Sequence, residues 1–331
     1  MKIAGFIINK LMAVWIIVFG LLAFFLPGSF LWLHAWVTYL LGGVILVMSL
    51  TLTLPSVTDV FTRPKAIIGG FFVKWITVPL VAYLAAIIVY SHQPALAAGT
   101  ILDGSVPAGV SSNLFTYIGH GSVALAVSLT FIHTILSPLL TPALTKFLAS
   151  KFVVVNFLSL LIQMLELVIV PVGLGLAIRY GLGQNRIKTV EPVLPMISAI
   201  FLFAITLGLV SAAAATIRAN IQWVPIVVGT TSVLIIVNLA AAYGLGKALR
   251  LSERQARAIM FDTGVYNSGL GAVLAATNFG AFSALPPLMN ATMNLILGAL
   301  LAAFLANRTI PPLDVDTGTA DTLLAASADG P

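Results

Sequence analysis

The chain has 331 residues, of which 60% are hydrophobic and only 8% charged, and its mean hydropathy is +1.10. A water-soluble domain needs far more charge to cover its surface, so lipid must be the main solvent and no soluble domain of any size fits in what remains. Cysteine is absent, which excludes disulfides, thiolate metal sites and a cysteine nucleophile, and the net charge of +6 sits in loops rather than in a nucleic-acid-binding patch.

Crossing roughly 30 Å of hydrocarbon takes about 20 residues at about 1.5 Å each. Apolar runs bounded by Pro, Gly or charge place helices at 11–27, 32–54, 66–91, 96–118, 122–145, 153–179, 191–216, 222–248, 255–278 and 283–306. The first follows Lys2 and Lys10 as a secretory signal would. No small-residue cleavage site follows Leu26-Pro27-Gly28, however, and further spans come at once, so it reads as a retained helix. With a cytoplasmic N-terminus, the inside segments hold Lys2, Lys10, Arg63, Lys65, Arg179, Arg186, Lys188, Lys247, Arg250, Arg254, Arg257 and Arg308, against Lys146, Lys151 and Arg218 outside. That bias predicts a multi-pass protein of the plasma or inner membrane with both termini cytoplasmic. The basic segment Lys247 to Arg257 sets orientation in this scheme; recognition of anionic lipid headgroups is its alternative role. Residues 311–331 turn polar and acidic, with Asp314, Asp316, Asp321 and Asp329 and no aromatic residue, and are expected to form a disordered tail.

Two segments resemble each other beyond apolar bias: Pro107-Ala-Gly-Val-Ser-Ser-Asn-Leu114 and Asp262-Thr-Gly-Val-Tyr-Asn-Ser-Gly-Leu270. They fall in the fourth and ninth spans, corresponding positions of two five-helix halves at 1–148 and 149–308, with 309–331 as the tail. Five is odd, so the halves have opposite topology, and paired Gly/Pro-interrupted spans in inverted repeats point to a transporter site. The fold class predicted is therefore an all-α polytopic membrane protein of ten transmembrane helices in two inverted repeats, with helices 4 and 9 broken.

A broken helix in lipid frees backbone groups that cost several kcal/mol each unless protein, a cavity or an ion meets them. Carbonyls ending one half-helix favour a cation, and N–H groups beginning the next favour an anion. Ser111, Ser112 and Asn113 in the first break, and Asp262, Thr263, Asn267 and Ser268 in the second, offer hard oxygens of the kind alkali ions accept. The plainer alternative is that such residues join helices. Lys74, Asp103, Glu166 and Asp262 are ionisable groups within predicted spans, each costing at least about 2.5 to 3.5 kcal/mol there. One cation against three carboxylates calls for bound cations or protons. His133 reads as a structural histidine, and Asn290 and Asn294, one turn apart, as lining a cavity or joining helices. Phe261-Asp262-Thr263-Gly264 contains the Asp-Thr-Gly of soluble aspartic proteases, but that motif belongs to β-rich folds and has no second copy here, so no enzyme is expected.

Pro107 to Thr130, Ser137 to Leu144 (SPLLTPAL) and Asp262 to Leu270 together resemble the bile acid:sodium symporter family. The resemblance implies ten helices, panel and core domains, crossed broken helices, and symport of sodium with an organic anion. It carries the first sodium site onto Ser112, Asn113, Thr130 and Asp262, with Ala126 where the family usually has Ser and the shorter Asp262 where it has Glu. At the second site Lys74 and Tyr266 stand where the family has glutamines. An ammonium at Lys74 would replace that second sodium and repel a cation by several kcal/mol at an effective dielectric near 20, so one sodium per cycle, or proton coupling through Lys74, is expected. Asp103, Glu166 and Tyr266 join Lys74 as coupling residues.

The implied substrate is an organic anion, either a small carboxylate such as pantoate and related precursors of pantothenate, or a bile-acid-like anion. Its carboxylate would meet Ser111, Asn267, Ser268 and Asn290 at the half-helix N-termini. The expected partners are thus a small organic anion and membrane lipid, with no nucleic acid and no obligatory protein partner. An ion channel or a membrane sensor is the competing class; no repeated filter loop supports the first and no signalling segment the second.

Overall fold

A computed structural model describes residues 12–50, 64–190 and 193–308. Lys2, Lys10, Arg63 and the acidic tail at 309–331 lie outside the described residues. Every described element is helical, and the only extended pairing among them is an isolated antiparallel bridge between Ala108 and Tyr266.

Seven helices are long and apolar enough to cross a bilayer. They are α2 (Pro27–Ser49), α3 (Pro64–Val89), α6 (Val123–Ala149), α7 (Phe157–Leu182), α9 (Leu194–Ala219), α10 (Trp223–Ala248) and α13 (Leu285–Ala306). A shorter apolar helix, α1 (Met12–Phe25), precedes them, and α8 (Gln184–Val190) is a brief helix with no counterpart among the predicted spans. The fourth and ninth predicted spans are each two half-helices, α4 (Pro94–Gly104) with α5 (Ser111–Ile118), and α11 (Glu253–Gly264) with α12 (Ser268–Phe279). At about 1.5 Å per residue none of the four crosses alone.

Prolines inside these helices are reconciled with lipid locally. Pro138 in α6 has no N–H for the Thr134 carbonyl, and the Ser137 hydroxyl donates to that oxygen instead, at 2.8 Å. In α7 a π turn at Leu165–Ile169 runs up to Val170-Pro171. Glycines set close approaches between helices. A Cβ on Gly175 of α7 would lie 1.7 Å from Ser49 Oγ, and one on Gly99 of α4 would lie 1.9 Å from the Ser283 carbonyl.

The helices pack in two groups. α9 lies along α1 and α2, and α7 along α2. The second group is α3, α4, α5, α6, α10, α11, α12 and α13, with the half-helices at its centre. The groups meet where α12 and the turn at Ala281–Ala284 reach α9, where α7 lies against α6, and where α13 lies against α1.

Candidate functional site

The two breaks cross and bond to each other. Gly109 N donates to Val265 O at 3.0 Å and Asn267 N to Pro107 O at 2.9 Å, flanking the Ala108–Tyr266 bridge. A Cβ on Gly109 would lie 3.1 Å from the Tyr266 carbonyl, so a side chain there would press on the bridge. Backbone groups freed by the two interruptions thus satisfy one another. Of the three partners considered for such groups, protein, a cavity or an ion, it is protein that meets these four.

Beside the crossing lies a buried cluster of oxygens. Thr130 Oγ1, from α6, sits 3.2 Å from Asn113 Oδ1 and 3.1 Å from Asp262 Oδ1. A hydroxyl has one proton, so it serves one of these acceptors and leaves lone pairs facing lone pairs at the other. Ser112 Oγ and Thr263 Oγ1 are buried without a hydrogen-bond partner. Asp262, fully buried, has its Oδ2 3.1 Å from His133 Nδ1, but the approach lacks hydrogen-bond alignment. The histidine ring is flanked by Phe71 and Trp75, each with centroids 5.9 Å away. Sequence reasoning missed His133 as a neighbour of Asp262; its place in the middle of a predicted span was the available signal. Asn113, Thr130 and Asp262 are brought together, and Ser112 precedes Asn113 in the first turn of α5. An excess of hard oxygen lone pairs over protons suits an alkali cation.

A second cluster lies across the bridge, between α4, α12 and α13. Asn290 Nδ2 donates to Asp103 Oδ2 at 2.5 Å and to Ser268 Oγ at 3.0 Å. Asn294 Nδ2 reaches Ser268 Oγ at 3.4 Å and the Tyr266 carbonyl at 3.3 Å. Asp103 Oδ1, Asn290 Oδ1 and Asn294 Oδ1 are buried without partners. Gly271 makes room for the carboxylate, since a Cβ there would stand 2.7 Å from Asp103 Oδ1. Lys74, 1% exposed, has no hydrogen-bond partner; its ammonium lies 4.4 Å from the centre of the Tyr266 ring. The carboxylates of Asp262 and Asp103 act on it electrostatically, but among the described residues no carboxylate comes within 4.0 Å, so Lys74 forms no ion pair with either.

Four of the residues singled out from the sequence lie apart from these clusters or have partners of their own. Glu166 is exposed, on the π turn of α7, and is not brought together with Lys74, Asp103 and Asp262. Asn267, half-buried, caps α12 by accepting from Leu270 N at 3.2 Å, so that N-terminus already has an acceptor where an anion was expected. Ser111, half-buried in the first turn of α5, stands beside N–H groups that are likewise engaged: Ser112 N with Gly109 O and Asn113 N with Val110 O, both at 3.0 Å. Arg257, finally, is not a free basic side chain. It is 3% exposed, donates to Glu253 Oε1 at 2.9 Å and to Gly119 O at 2.8 Å, and reaches Leu305 O at 3.3 Å, tying together the C-terminal ends of α5 and α13. Burial alone would raise the Glu253 carboxyl, but hydrogen bonds from Arg257, Tyr243 and Lys247 outweigh that and hold it below its ordinary value.

Residues 38–220 match the profile of the Sodium Bile acid symporter family. The Bacillus subtilis protein named "Uncharacterized sodium-dependent transporter YocS" is 33% identical over 296 residues, which are 88% of this chain and 89% of that one. The Arabidopsis thaliana "Probable sodium/metabolite cotransporter BASS1, chloroplastic" is 32% identical over 305 residues, 91% of this chain and 74% of that one. A rice protein named "Probable sodium/metabolite cotransporter BASS2, chloroplastic" is 30% identical over 314 residues, 94% of this chain and 73% of that one.

Proposed function

The chain belongs to the Sodium Bile acid symporter family, a family of sodium-dependent membrane transporters and not of enzymes, and we propose that it carries a small organic anion together with sodium by alternating access. The observation that carries the proposal is the Thr130 hydroxyl held between Asn113 Oδ1 and Asp262 Oδ1, where Asn113 is next in sequence to Ser112, whose Oγ is buried and unpartnered. Sodium, as cargo, would be held there by Ser112, Asn113, Thr130 and Asp262.

On this proposal α1, α2, α3, the α4–α5 pair and α6 make the first inverted repeat, within residues 1–148. α7, α9, α10, the α11–α12 pair and α13 make the second, within 149–308. Both termini are cytoplasmic, with 309–331 as an acidic tail, and α1, α2, α7 and α9 act as the panel against which the other helices move. The packing of the helices in two groups supports that division. The substrate is a small carboxylate such as pantoate, meeting Ser111, Ser268 and Asn290 and displacing Asn267 Oδ1 from Leu270 N. The word "metabolite" in two relatives' names is consistent with a substrate of that size. Lys74 takes the place of a second sodium, so that one sodium moves per cycle. A second version, proton coupling through Lys74, is favoured by the burial of its ammonium without a hydrogen bond beside Tyr266.

The test is the thermal stability of the purified protein in sodium against potassium, for wild type and Asp262→Asn, with small carboxylates added in each salt. Sodium-specific stabilisation of about 3 kcal/mol at about a hundredfold excess over the dissociation constant is expected. It should vanish in the variant, and a carboxylate that adds stability only in sodium would be the cargo. Equal stability of the wild type in both salts would refute sodium coupling, and a pH-dependent carboxylate effect that needs Lys74 would move the coupling to protons. Saturable, gradient-dependent uptake in proteoliposomes separates a carrier from a channel or a sensor.

A further inference from the structure

We propose that the groove between α10 and α13 is a binding site for an anionic phospholipid. The groove is open at the side of the bundle, with a volume of about 750 Å³. Leu239 and Leu297 line it, and Ile236, Leu300 and Phe304, each more than half exposed, form its outer rim. Those helix faces bear no other protein element among the described residues, and in a bilayer hydrocarbon is what meets them.

Charge at one end selects the headgroup. The apolar walls end at Glu253, Arg257 and Arg308, where α10 and α13 finish and α11 begins. Glu253 is matched there by Arg257 at 2.9 Å and by Lys247 at 3.3 Å. Arg308 is additional: its guanidinium lies 4.8 Å from the Phe304 ring centre, and among the described residues no carboxylate comes within 4.0 Å of it. Among the described residues the mouth is therefore lined by two arginines against one carboxylate, with Lys247 on that carboxylate's other side. A ligand with a long apolar body and an anionic phosphate at one end satisfies both the walls and the mouth. The groove's lining shares no residue with the proposed sodium and substrate sites, and it reaches the second break only through Leu239, from whose Cδ2 a Cβ on Gly264 would stand 2.4 Å.

The purified full-length protein, stripped of lipid in detergent, is titrated with phosphatidylglycerol and with phosphatidylcholine of the same chains. Retained lipid is counted by native mass spectrometry and stability is followed by thermal unfolding. Phosphatidylglycerol should bind the more tightly. Arg308→Gln, at an exposed position, should weaken it about fivefold and leave phosphatidylcholine unchanged, while Ala240→Trp, whose indole fills the groove, should weaken both. Inorganic phosphate should give no shift, which separates a lipid headgroup from a free anion. Equal affinity for the two lipids, or an Arg308→Gln protein with wild-type preference, would overturn the proposal. So would a chain ending at Arg308 that binds phosphatidylglycerol more than tenfold better than the full one, since residues 309–331 would then be the occupant.

Discussion

Replacing Lys74 with glutamine removes a buried ammonium and puts in its place the residue type that the family resemblance assigns to a second sodium site. Lys74 makes no ion pair and no hydrogen bond; its favourable contact is the Tyr266 ring at 4.4 Å, worth about 0.5 to 2 kcal/mol. A cation within about 4 to 8 Å of that ammonium is opposed by about 2 to 4 kcal/mol at an effective dielectric near 20, a factor of about 30 to 1,000 in affinity. Loss of the ring contact is thus smaller than, or comparable with, the repulsion relieved, and the variant should fold and gain a cation. The assay is unfolding free energy against the logarithm of sodium concentration. Each saturable site contributes a limiting slope of RT, because stabilisation follows RT ln(1 + [Na]/Kd). Wild type should show one such unit, Lys74→Gln two, and Lys74→Arg, which keeps the charge, one. A wild-type slope of two, or an unchanged slope in Lys74→Gln, would refute the replacement of a sodium by Lys74.

Thr130→Val keeps the shape of the side chain and removes the hydroxyl between Asn113 and Asp262; the half-saturating sodium concentration for stabilisation should rise about tenfold to a hundredfold while helix content by circular dichroism stays the same. At the other end of the bundle, folding lowers the Glu253 carboxyl from its ordinary value of 4.5. Its contribution to stability is therefore complete above that value and lost as the pH falls through the lowered one. Glu253→Gln should accordingly lose less melting temperature than wild type between about pH 6 and pH 3, as read by thermal unfolding at each pH.

The breaks were legible because Gly-Val followed by small polar residues twice interrupts apolar runs, at Pro107 to Leu114 and Asp262 to Leu270, and the half-helices do part there. What lies opposite what was not. Thr130 and Asp262 are separated by 132 residues, and no periodicity joins them; only the family resemblance put them side by side. A helix in lipid is apolar all round, so its sequence carries no amphipathic stripe to say which face turns inward. Glu166 shows the cost. A carboxylate in the middle of an apolar run looked internal, whereas α7 exposes it at a π turn. Arg257 shows the reverse: it stood in a run that counted as surface charge, yet its guanidinium is buried against the ends of α5 and α13.

The direct pairing of the two breaks separates structural need from ion binding. Had Gly109 N and Asn267 N lacked partners, the bilayer interior would penalise each by several kcal/mol, and an ion or substrate would be required to hold the crossing together. They are instead donors to Val265 O and Pro107 O, within ordinary hydrogen-bond length. What is left unsatisfied is a set of side-chain oxygens, Ser112 Oγ, Thr263 Oγ1 and Asp262 Oδ2 in one cluster and Asp103 Oδ1, Asn290 Oδ1 and Asn294 Oδ1 in the other. Cargo can then enter and leave without melting the centre of the protein, as a carrier requires. In hydrogen exchange, the Gly109 and Asn267 amides should therefore stay protected in potassium as in sodium. Protection at both that collapses on removing sodium would mean that the ion, and not the mutual pairing, holds the crossing.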